Sequence, residues 1–220
     1  MGVTRTLALF DLDGTLTWRD TLPAYLIGFI RHHPRSIFRL WRLPGAMLLF
    51  LADRDRGLFK QRLVQTVMHG ATRAQVGEWS SQFADRIVNR GGIRPAALRV
   101  LQQHLRANDL VVLLSASPDL YVPQIGQLLG CRQVVCTEFS WRLDRLEGYL
   151  LTPNRRGAEK TRCLEQLKAQ HPQYLIKAYA NSASDIEHLR IADEAVLTNA
   201  GPAARRQGRQ LGIALDHWTS

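Results

Sequence analysis

Two aspartates one residue apart, Asp11 and Asp13, come directly after the apolar run 7–10 and are followed by Gly14 and Thr15. Carboxylates crowded at the end of a strand repel one another unless a proton or a cation separates them. One carboxylate of such a pair can act as a nucleophile and the other as a general acid and base, and the hard oxygen atoms of both suit Mg²⁺. The pair therefore predicts a catalytic site whose remaining partners must lie elsewhere in the chain.

Short apolar runs predict the strands that would position such a site. Residues 7–10, 110–114 and 175–179 are short, mostly apolar runs followed by helical patterns, and 195–197 is a fourth run before a stop at 198–202. The helical patterns that alternate with these strands lie at 95–108, 120–129, 157–170 and 185–192. This alternation indicates an α/β fold with a Rossmann-like, doubly wound parallel sheet, in which ligands bind at the carboxyl ends of the strands.

The region from residue 17 to residue 90 breaks the alternation, because it holds helical patterns and no good strand. The helical patterns lie at 22–31, 35–51, 57–69 and 73–89, and Gly91 and Gly92 mark the return to alternation. We therefore predict a catalytic core formed by residues 1–16 and 91–220, with a small all-helical cap, residues 17–90, inserted after the first strand. A cap inserted there would lie over the carboxyl end of that strand.

Composition and charge narrow the class of protein. Of the 220 residues, 45% are hydrophobic and 22% are charged, which indicates a folded globular chain rather than a disordered one. The 29 Lys and Arg residues exceed the 19 Asp and Glu residues and give a net charge of +10, which favours anionic partners. Three cysteines without C-x-x-C spacing, no signal-peptide pattern and no apolar run near the length of a membrane span predict a cytoplasmic protein.

Four segments carry a resemblance to a known family. Residues 10–16, Phe-Asp-Leu-Asp-Gly-Thr-Leu, resemble the D-x-D-G-T signature of the haloacid dehalogenase-like phosphatases. The other three family motifs follow in order: Ser115 ends an apolar strand, Lys160 opens a helix after Gly157, and residues 180–185 stand in place of a GDxxxD motif. The resemblance covers nearly the whole chain, and the helical cap after the first motif is similar to that of the phosphoserine-phosphatase-like subfamily.

The resemblance implies a Mg²⁺-dependent phosphomonoesterase and a role for each matched residue. Asp11 would form an aspartyl-phosphate, Asp13 would act as general acid and base, and Lys160 would hold nucleophile and phosphate together. The implied substrate and phosphate contacts are Thr15, Asp20, Ser115, Ala116 and Ser117. The implied metal ligands are the Asp11 carboxylate, the Asp13 backbone carbonyl and residue 181, with Asp185 close enough to assist.

The third of these ligands departs from the family pattern, because this chain has Asn181 where Asp is usual and Ala180 where Gly is usual. An asparagine carbonyl oxygen can still bind Mg²⁺ but adds no negative charge, so the affinity for the cation should fall. Asp185 could compensate, directly or through a water molecule. The alternative is a weakened or non-catalytic protein that only binds a phosphorylated ligand.

The cap should select the substrate. Asp20 occupies the place where phosphoserine phosphatases bind the substrate amine, although it could equally cap the helix that begins at Leu22. Those enzymes also carry a cap arginine for the substrate carboxylate, and matching residues 59–61 to their cap helix puts Thr66 at that position. The match therefore argues against phosphoserine as the substrate.

The first half of the cap also resembles a lipid enzyme. Residues 10–34 resemble bacterial phosphatidylglycerophosphate phosphatases, and Arg35, Arg39 and Arg42 share a predicted helical face beside Phe38 and Trp41. The segment 31–62 holds eight basic residues, at 31, 35, 39, 42, 54, 56, 60 and 62, against Asp53 and Asp55. This pattern favours peripheral contact with an anionic inner-membrane surface as one alternative. No nucleic-acid motif occurs, so we expect a phosphorylated small-molecule or lipid substrate, no nucleic acid, and a monomer or homodimer.

Overall fold

A computed structural model describes residues 5–218, with the side chains of Arg39, Arg42, Ala46 and Asp53 left out of the description. The predictions for residues 1–4 and 219–220, and for the side chains of Arg39 and Arg42, therefore lie outside the described residues.

A six-stranded, all-parallel sheet forms the centre of the fold, in the order β3-β2-β1-β6-β7-β8, and β4 and β5 form a separate antiparallel hairpin. The strands are β1 (Arg5–Phe10), β2 (Leu110–Pro118), β3 (Gln133–Thr137), β4 (Phe139–Arg142), β5 (Arg145–Leu150), β6 (Tyr174–Ala180), β7 (Glu194–Thr198) and β8 (Ala214–Asp216). The predicted α/β fold with a parallel sheet is confirmed, and the four predicted strands correspond to β1, β2, β6 and β7.

Helices cover both faces of the sheet, which is why its central strands are apolar throughout. The helices are α1 (Leu22–His32), α2 (Leu43–Asp53), α3 (Arg56–Met68), α4 (Arg73–Asn89), α5 (Pro95–Arg106), α6 (Val122–Leu128), α7 (Ala158–Gln170), α8 (Ile186–Ile191) and α9 (Pro202–Gln210). Along β1, Leu7 and Leu9 join the core cluster that includes α7 and α8, whereas Ala8 and Phe10 join the cluster on the opposite face. A strand buried on both faces needs an apolar residue at every position.

Helices α1 to α4 follow the first strand, as the sequence predicted. The predicted helix 35–51 was wrong as a single element, since a 3₁₀ helix, Pro34–Arg42, precedes α2. Pro44 explains the break, because it has no N–H to continue a helical hydrogen-bond ladder from the preceding turn. An isolated antiparallel bridge pairs Thr17 with Ile93 where the chain leaves the sheet and returns to it. The assignment of residues 17–90 as a separate cap stays a prediction.

Aromatic rings hold this helical layer against the sheet. Tyr25 of α1 packs on Tyr121 with ring centroids 4.4 Å apart, and Phe83 of α4 packs on the same tyrosine at 5.2 Å. Trp79 lies in the same cluster and donates from its indole nitrogen to the Tyr25 carbonyl at 3.1 Å. Gly28 is required beside it, because a Cβ at that position would overlap the Trp79 ring. The helical layer therefore has a fixed position over the carboxyl edge of the sheet.

The β4–β5 hairpin supports α3 from the other side. The Gln61 side chain accepts a hydrogen bond from the Leu150 N–H at 2.9 Å, and the Gly70 N–H donates to the Leu146 carbonyl at 2.8 Å. The hairpin, β3, β8 and α9 were not predicted. Within residues 5–218, none of the helices has both the length and the apolar character that crossing a membrane requires.

Candidate active site

The two aspartates lie at the end of β1 and in the turn that follows it. The Asp11 N–H donates to the Tyr179 carbonyl of β6 at 3.0 Å, so the residue after the strand is anchored to the sheet. The chain then turns over Leu12–Leu16, where Asp13 and Gly14 depart from helical backbone angles and Gly14 has a φ of +79°. A Cβ on Gly14 would overlap the Asn181 side-chain amide, so glycine is required for both its backbone conformation and the close approach of the β6 loop.

Lys160 joins the ends of two strands across the bottom of a cavity. Its Nζ atom donates to Asp11 Oδ1 at 2.6 Å and to Asp185 Oδ1 at 2.9 Å, and all three side chains are buried. The other oxygen of Asp11 accepts from the Thr15 hydroxyl at 2.9 Å. The other oxygen of Asp185 accepts from the Ser182 hydroxyl at 2.7 Å. This network fixes the rotamers of Asp11 and Lys160 relative to each other.

Burial and the neighbouring charges together shift the pKa values of this network. Burial raises the pKa of Asp11 to about 6, an effect that Lys160 opposes and that Asp185 and Asp13 reinforce. Burial alone would lower the pKa of Lys160, but attraction by the two carboxylates outweighs it and holds the pKa above its ordinary value. Burial would likewise raise the pKa of Asp185, but Lys160 lowers it to about 2. Lys160 is therefore a permanent cation at neutral pH.

Asp13 has a different environment from Asp11. Its Oδ1 atom accepts from the Thr21 N–H at 2.8 Å and the Thr21 hydroxyl at 2.7 Å, and its Oδ2 atom accepts from the Ser117 hydroxyl at 2.5 Å. Burial raises its pKa, Asp20 adds to the shift, and the bonds from Ser117 and Thr21 reduce it. A carboxyl group that is fixed in place and has a raised pKa is suited to give and take a proton.

The β2 strand continues past its apolar run and brings three predicted residues to the site. Ala116 and Ser117 line the cavity beside Asp13. Ser115 is fully buried and does not line it, and its hydroxyl accepts from the Ser117 N–H at 3.0 Å. Thr15 is likewise buried behind Asp11 and outside the lining. Ser115 and Thr15 thus orient residues that face the cavity.

The remaining predicted residues also meet at this edge of the sheet. Asn181 and Asp185 line the cavity with the aspartates, and Asn181 Oδ1 lies 3.4 Å from the Thr15 hydroxyl. Asp20 lines the cavity and also accepts from the Leu22 N–H at 3.0 Å, so it performs the capping interaction and remains available to a ligand.

The donor set at this edge fits a hard divalent cation. Among the described residues, no group of three or more His, Cys, Asp or Glu side chains is arranged to hold a metal. The expected set does not need one, since it consists of one carboxylate, one backbone carbonyl and one amide oxygen. Asp11 and Asp185 are buried and share one ammonium, Asp13 adds a further negative charge near Asp11, and another positive charge would reduce the cost of ionising Asp11. Asp185 is directed at Lys160 and Ser182, which suits a positioning role more than direct ligation.

The cavity has a volume of about 630 Å³, and its lining includes residues that the sequence did not assign to the site. Arg56 and Lys60 of α3 line it, as does Arg156 of the loop before α7, whereas the sequence placed the first two in a basic segment that suited a membrane surface. Phe50 and Phe59 form an apolar part of the same lining, with ring centroids 4.5 Å apart. The i, i+4 spacing of Arg56 and Lys60 was the available signal that both face one way.

A parallel α/β sheet with buried carboxylates and a lysine at its carboxyl edge, under inserted helices, defines a class of enzymes that carry out their chemistry at strand ends. The profile of the haloacid dehalogenase-like hydrolases matches residues 8–190, and the chain belongs to this family.

Individual relatives agree with this assignment. Protein CicA of Caulobacter vibrioides is 34% identical over 195 residues, which are 88% of this chain and 86% of CicA. A Bordetella pertussis Tohama I protein of unknown function superposes with a TM-score of 0.80 at 22% identity, over 97% of this chain and 99% of that one. A phosphoserine phosphatase, solved as a phospho-aspartyl intermediate analogue, gives a TM-score of 0.67 at 15% identity and covers 99% of this chain and 95% of its own. These likenesses confirm the fold expected from the phosphoserine-phosphatase-like resemblance.

Proposed function

We propose that this hydrolase is a Mg²⁺-dependent phosphatase that cleaves phosphate monoesters through an aspartyl-phosphate on Asp11. The observation that carries the proposal is the position of Lys160 Nζ, which bonds both Asp11 and Asp185 at the bottom of a cavity. A carboxylate next to a permanent cation can receive a dianionic phosphate that it would otherwise repel.

The first step would form and break one bond each at phosphorus. An Asp11 oxygen bonds to phosphorus while the ester oxygen leaves, and Asp13 gives its proton to that leaving alkoxide. Lys160 offsets charge on the transferring group. The raised pKa of Asp13 favours the protonated form that this step needs.

The second step would reverse the proton transfer. Water attacks the phosphorus of the aspartyl-phosphate, Asp13 accepts the proton of that water, and inorganic phosphate leaves as Asp11 is regenerated. Ser117 and Thr21 hold the Asp13 carboxyl in one orientation for both transfers. Asp11, the Asp13 carbonyl and Asn181 would hold Mg²⁺, which supplies charge neutralisation for the phosphate oxygens.

Hydrolysis of p-nitrophenyl phosphate tests the proposal. We expect turnover that chelation of divalent cations abolishes and that Mg²⁺ restores. Asp11→Asn should remove turnover, while the exposed Asp144→Asn, which makes the same chemical change away from the site, should retain it. Full activity of the Asp11 variant would contradict the assignment. Phosphate binding without turnover in the wild type would favour the non-catalytic alternative that Asn181 raises.

A second candidate is a lipid phosphate monoester taken from a membrane surface, and the exposed apolar residues beside the cavity favour it. Phe50 of α2 lines the cavity while neighbouring side chains point outward. The outward-facing apolar residues, each more than half exposed, are Ile37, Phe38, Trp41, Met47, Leu48, Leu49 and Leu51. Arg31, Arg35 and Arg54 are exposed next to them. Apolar and basic residues together suit an anionic bilayer.

Vesicle sedimentation separates the two candidates. Binding to anionic vesicles that falls with salt, and that Leu48→Glu weakens more than Leu128→Glu on α6, would support the lipid candidate. Both leucines are at least half exposed, so the pair controls for the added charge. Equal binding to neutral vesicles, or no binding, would leave a water-soluble phosphate monoester as the substrate.

A further inference from the structure

Lys60 is a cation whose contacts are with neutral groups. Its Nζ atom donates to the Ala116 carbonyl and to Asn154 Oδ1, the latter at 2.7 Å. An ammonium group has three donors, so these two bonds leave one N–H for a further acceptor. Since the residue lines the cavity, that acceptor can belong to a ligand.

The charges around Lys60 are of both signs. Burial lowers the pKa of Lys60 to about 8, although Asp13 and Asp20 attract its charge, and Arg156 and Lys160 repel it. Asp13 already accepts three hydrogen bonds, and Asp20 is exposed to solvent. Keeping a buried ammonium charged without a close anion is costly, and an anionic ligand group would remove that cost.

Two arginines line the same cavity as Lys60. Arg56 is one helical turn before Lys60, and Arg156 approaches from the loop before α7. No ion pair involves either arginine among the residues and side chains that the structure describes. Thr66, the position that the phosphoserine-phosphatase match gave to a carboxylate-binding arginine, is buried outside the lining. This set of cations is therefore distinct from that arrangement.

We propose that Arg56, Lys60 and Arg156 form a second anion-binding subsite, and that the substrate is a phosphate monoester whose alcohol carries another anionic group. The anion is a carboxylate or a second phosphate. The inference rests on the proposed phosphatase function, because it places the scissile phosphate at Asp11 and the second anion at these three cations. Phe50 and Phe59 line the same cavity, and attraction between charges is stronger beside such apolar groups than in open water.

Matched substrate pairs test the subsite. The first pair is 2-phosphoglycerate against glycerol 2-phosphate, which differ by a carboxylate in place of a hydroxymethyl group. The second is propane-1,3-diol bisphosphate against the monophosphate, which tests phosphate as the second anion. We expect at least a tenfold preference in kcat/KM for the more anionic member of one pair, the size of one charge-assisted hydrogen bond.

Charge-removing variants assign that preference to residues. Lys60→Gln keeps donors for Ala116 and Asn154 but removes the charge, and Arg156→Gln changes the loop side of the subsite independently. Each should reduce the preference by about tenfold, mainly through KM. Arg205→Gln, an exposed change of equal charge on α9, should leave the preference as it is.

The opposing outcomes are distinct. Equal kcat/KM within both pairs would overturn the subsite, as would an equal loss on all substrates in both variants. Lys60 would then serve only to link α3 to β2 through the Ala116 carbonyl. If no phosphate ester is turned over, the proposed function fails, and calorimetric binding of the same four compounds decides the subsite. Tighter binding of the more anionic member would then support the subsite, and equal binding would overturn it.

Discussion

Two parts of the cavity differ in how their charges are balanced: the floor, formed by Asp11, Asp13, Lys160 and Asp185, and the wall, whose cations are Arg56, Lys60 and Arg156. In the floor, every charged side chain is hydrogen-bonded to another side chain. In the wall, Lys60 bonds to neutral oxygens, and its arginine neighbours lie open to the cavity. Asp11 and Asp185 of the floor are paired with Lys160, whereas the three cations of the wall form no ion pair within the part of the chain that the structure describes.

The floor and the wall are also held in place differently, which suggests different roles in the reaction. The carboxylates of the floor follow β1 and β6, whose backbones are hydrogen-bonded in register, and Lys160 of α7 joins Asp11 to Asp185. The wall stands on α2, α3 and a loop, which are positioned by side-chain packing. We infer that the floor determines which bond is cleaved and the wall determines which alcohol is accepted.

Removing the central cation of the floor should have the largest effect. Lys160→Gln would leave Asp11 and Asp185 buried without their shared ammonium, so we expect loss of activity by roughly 10³-fold or more and destabilisation by about 3–5 kcal/mol. Steady-state kinetics and urea unfolding measure the two effects. Lys168→Gln is the matched control, since that partly exposed lysine is on the same helix but bonds the Ile191 carbonyl. Equal effects in the two variants would remove the distinction drawn for the floor.

Gly14→Ala tests the contact between the β1 turn and the β6 loop. The new methyl group would displace Asn181, so we expect roughly 10²-fold lower kcat/KM and a stability loss of about 1–3 kcal/mol. Gly212→Ala is the control, because Gly212 also has a positive φ, +68°, but has open space around its Cβ position. The control should show the cost of backbone strain without the loss of activity. A fully active Gly14 variant would show that the close approach is not needed.

Asp11 and Asp13 of the floor could be predicted from the sequence because they lie two residues apart at the end of a clear apolar run. Lys160 and Asp185 were expected only from the resemblance to a family. Three of the missed strands have weaker signals: β8 has three residues, and the two strands of the β4–β5 hairpin are partly exposed and lie outside the main sheet.

The wall could not be predicted because its lining depends on how helices rotate and pack. The sequence places Arg56 and Lys60 in a basic segment, and that segment is equally consistent with a membrane-facing surface. Only the packing of α3 against the β4–β5 hairpin turns these side chains toward the cavity that Asp11 and Asp13 also line. Arg156 lies in a loop, where no periodic pattern exists to indicate its direction.

Asp119 lies between β2 and the β4–β5 hairpin, outside the lining of the cavity, and should make stability depend on pH. It follows β2, and its Oδ1 atom accepts from the Phe139 N–H of the hairpin at 3.2 Å. Burial raises its pKa to about 7, so between about pH 4 and pH 7 the folded state keeps a proton that the unfolded state loses. This group therefore lowers stability as pH rises through that window. Asp119→Asn keeps the acceptor and removes the charge, and should stabilise the protein by about 1–3 kcal/mol at pH 8 but little at pH 4.5.

Chemical unfolding at the two pH values measures this effect, with the exposed Asp144→Asn as the control for losing a carboxylate. A stability gain that is the same at both pH values would contradict titration of Asp119 as the cause.

Asn181→Asp should have the smallest effect and gives the sharpest comparison of floor with wall. A carboxylate in place of an amide oxygen at the end of β6 adds negative charge to the expected donor set, so we expect Mg²⁺ to bind about tenfold more tightly. Magnesium titrations, followed by tryptophan fluorescence and by phosphatase activity, measure the apparent affinity.

Asn154→Asp is the matched control, because it adds the same charge to the same cavity but on the wall, beside Lys60. If Asn181 is a ligand, only the floor variant should gain Mg²⁺ affinity, since direct coordination requires the oxygen to lie at the strand ends. Equal gains in both variants would mean that the cavity attracts the cation by its overall charge. An unchanged or weaker affinity in Asn181→Asp would exclude residue 181 from the donor set, and the cation would then depend on Asp11 and the Asp13 carbonyl.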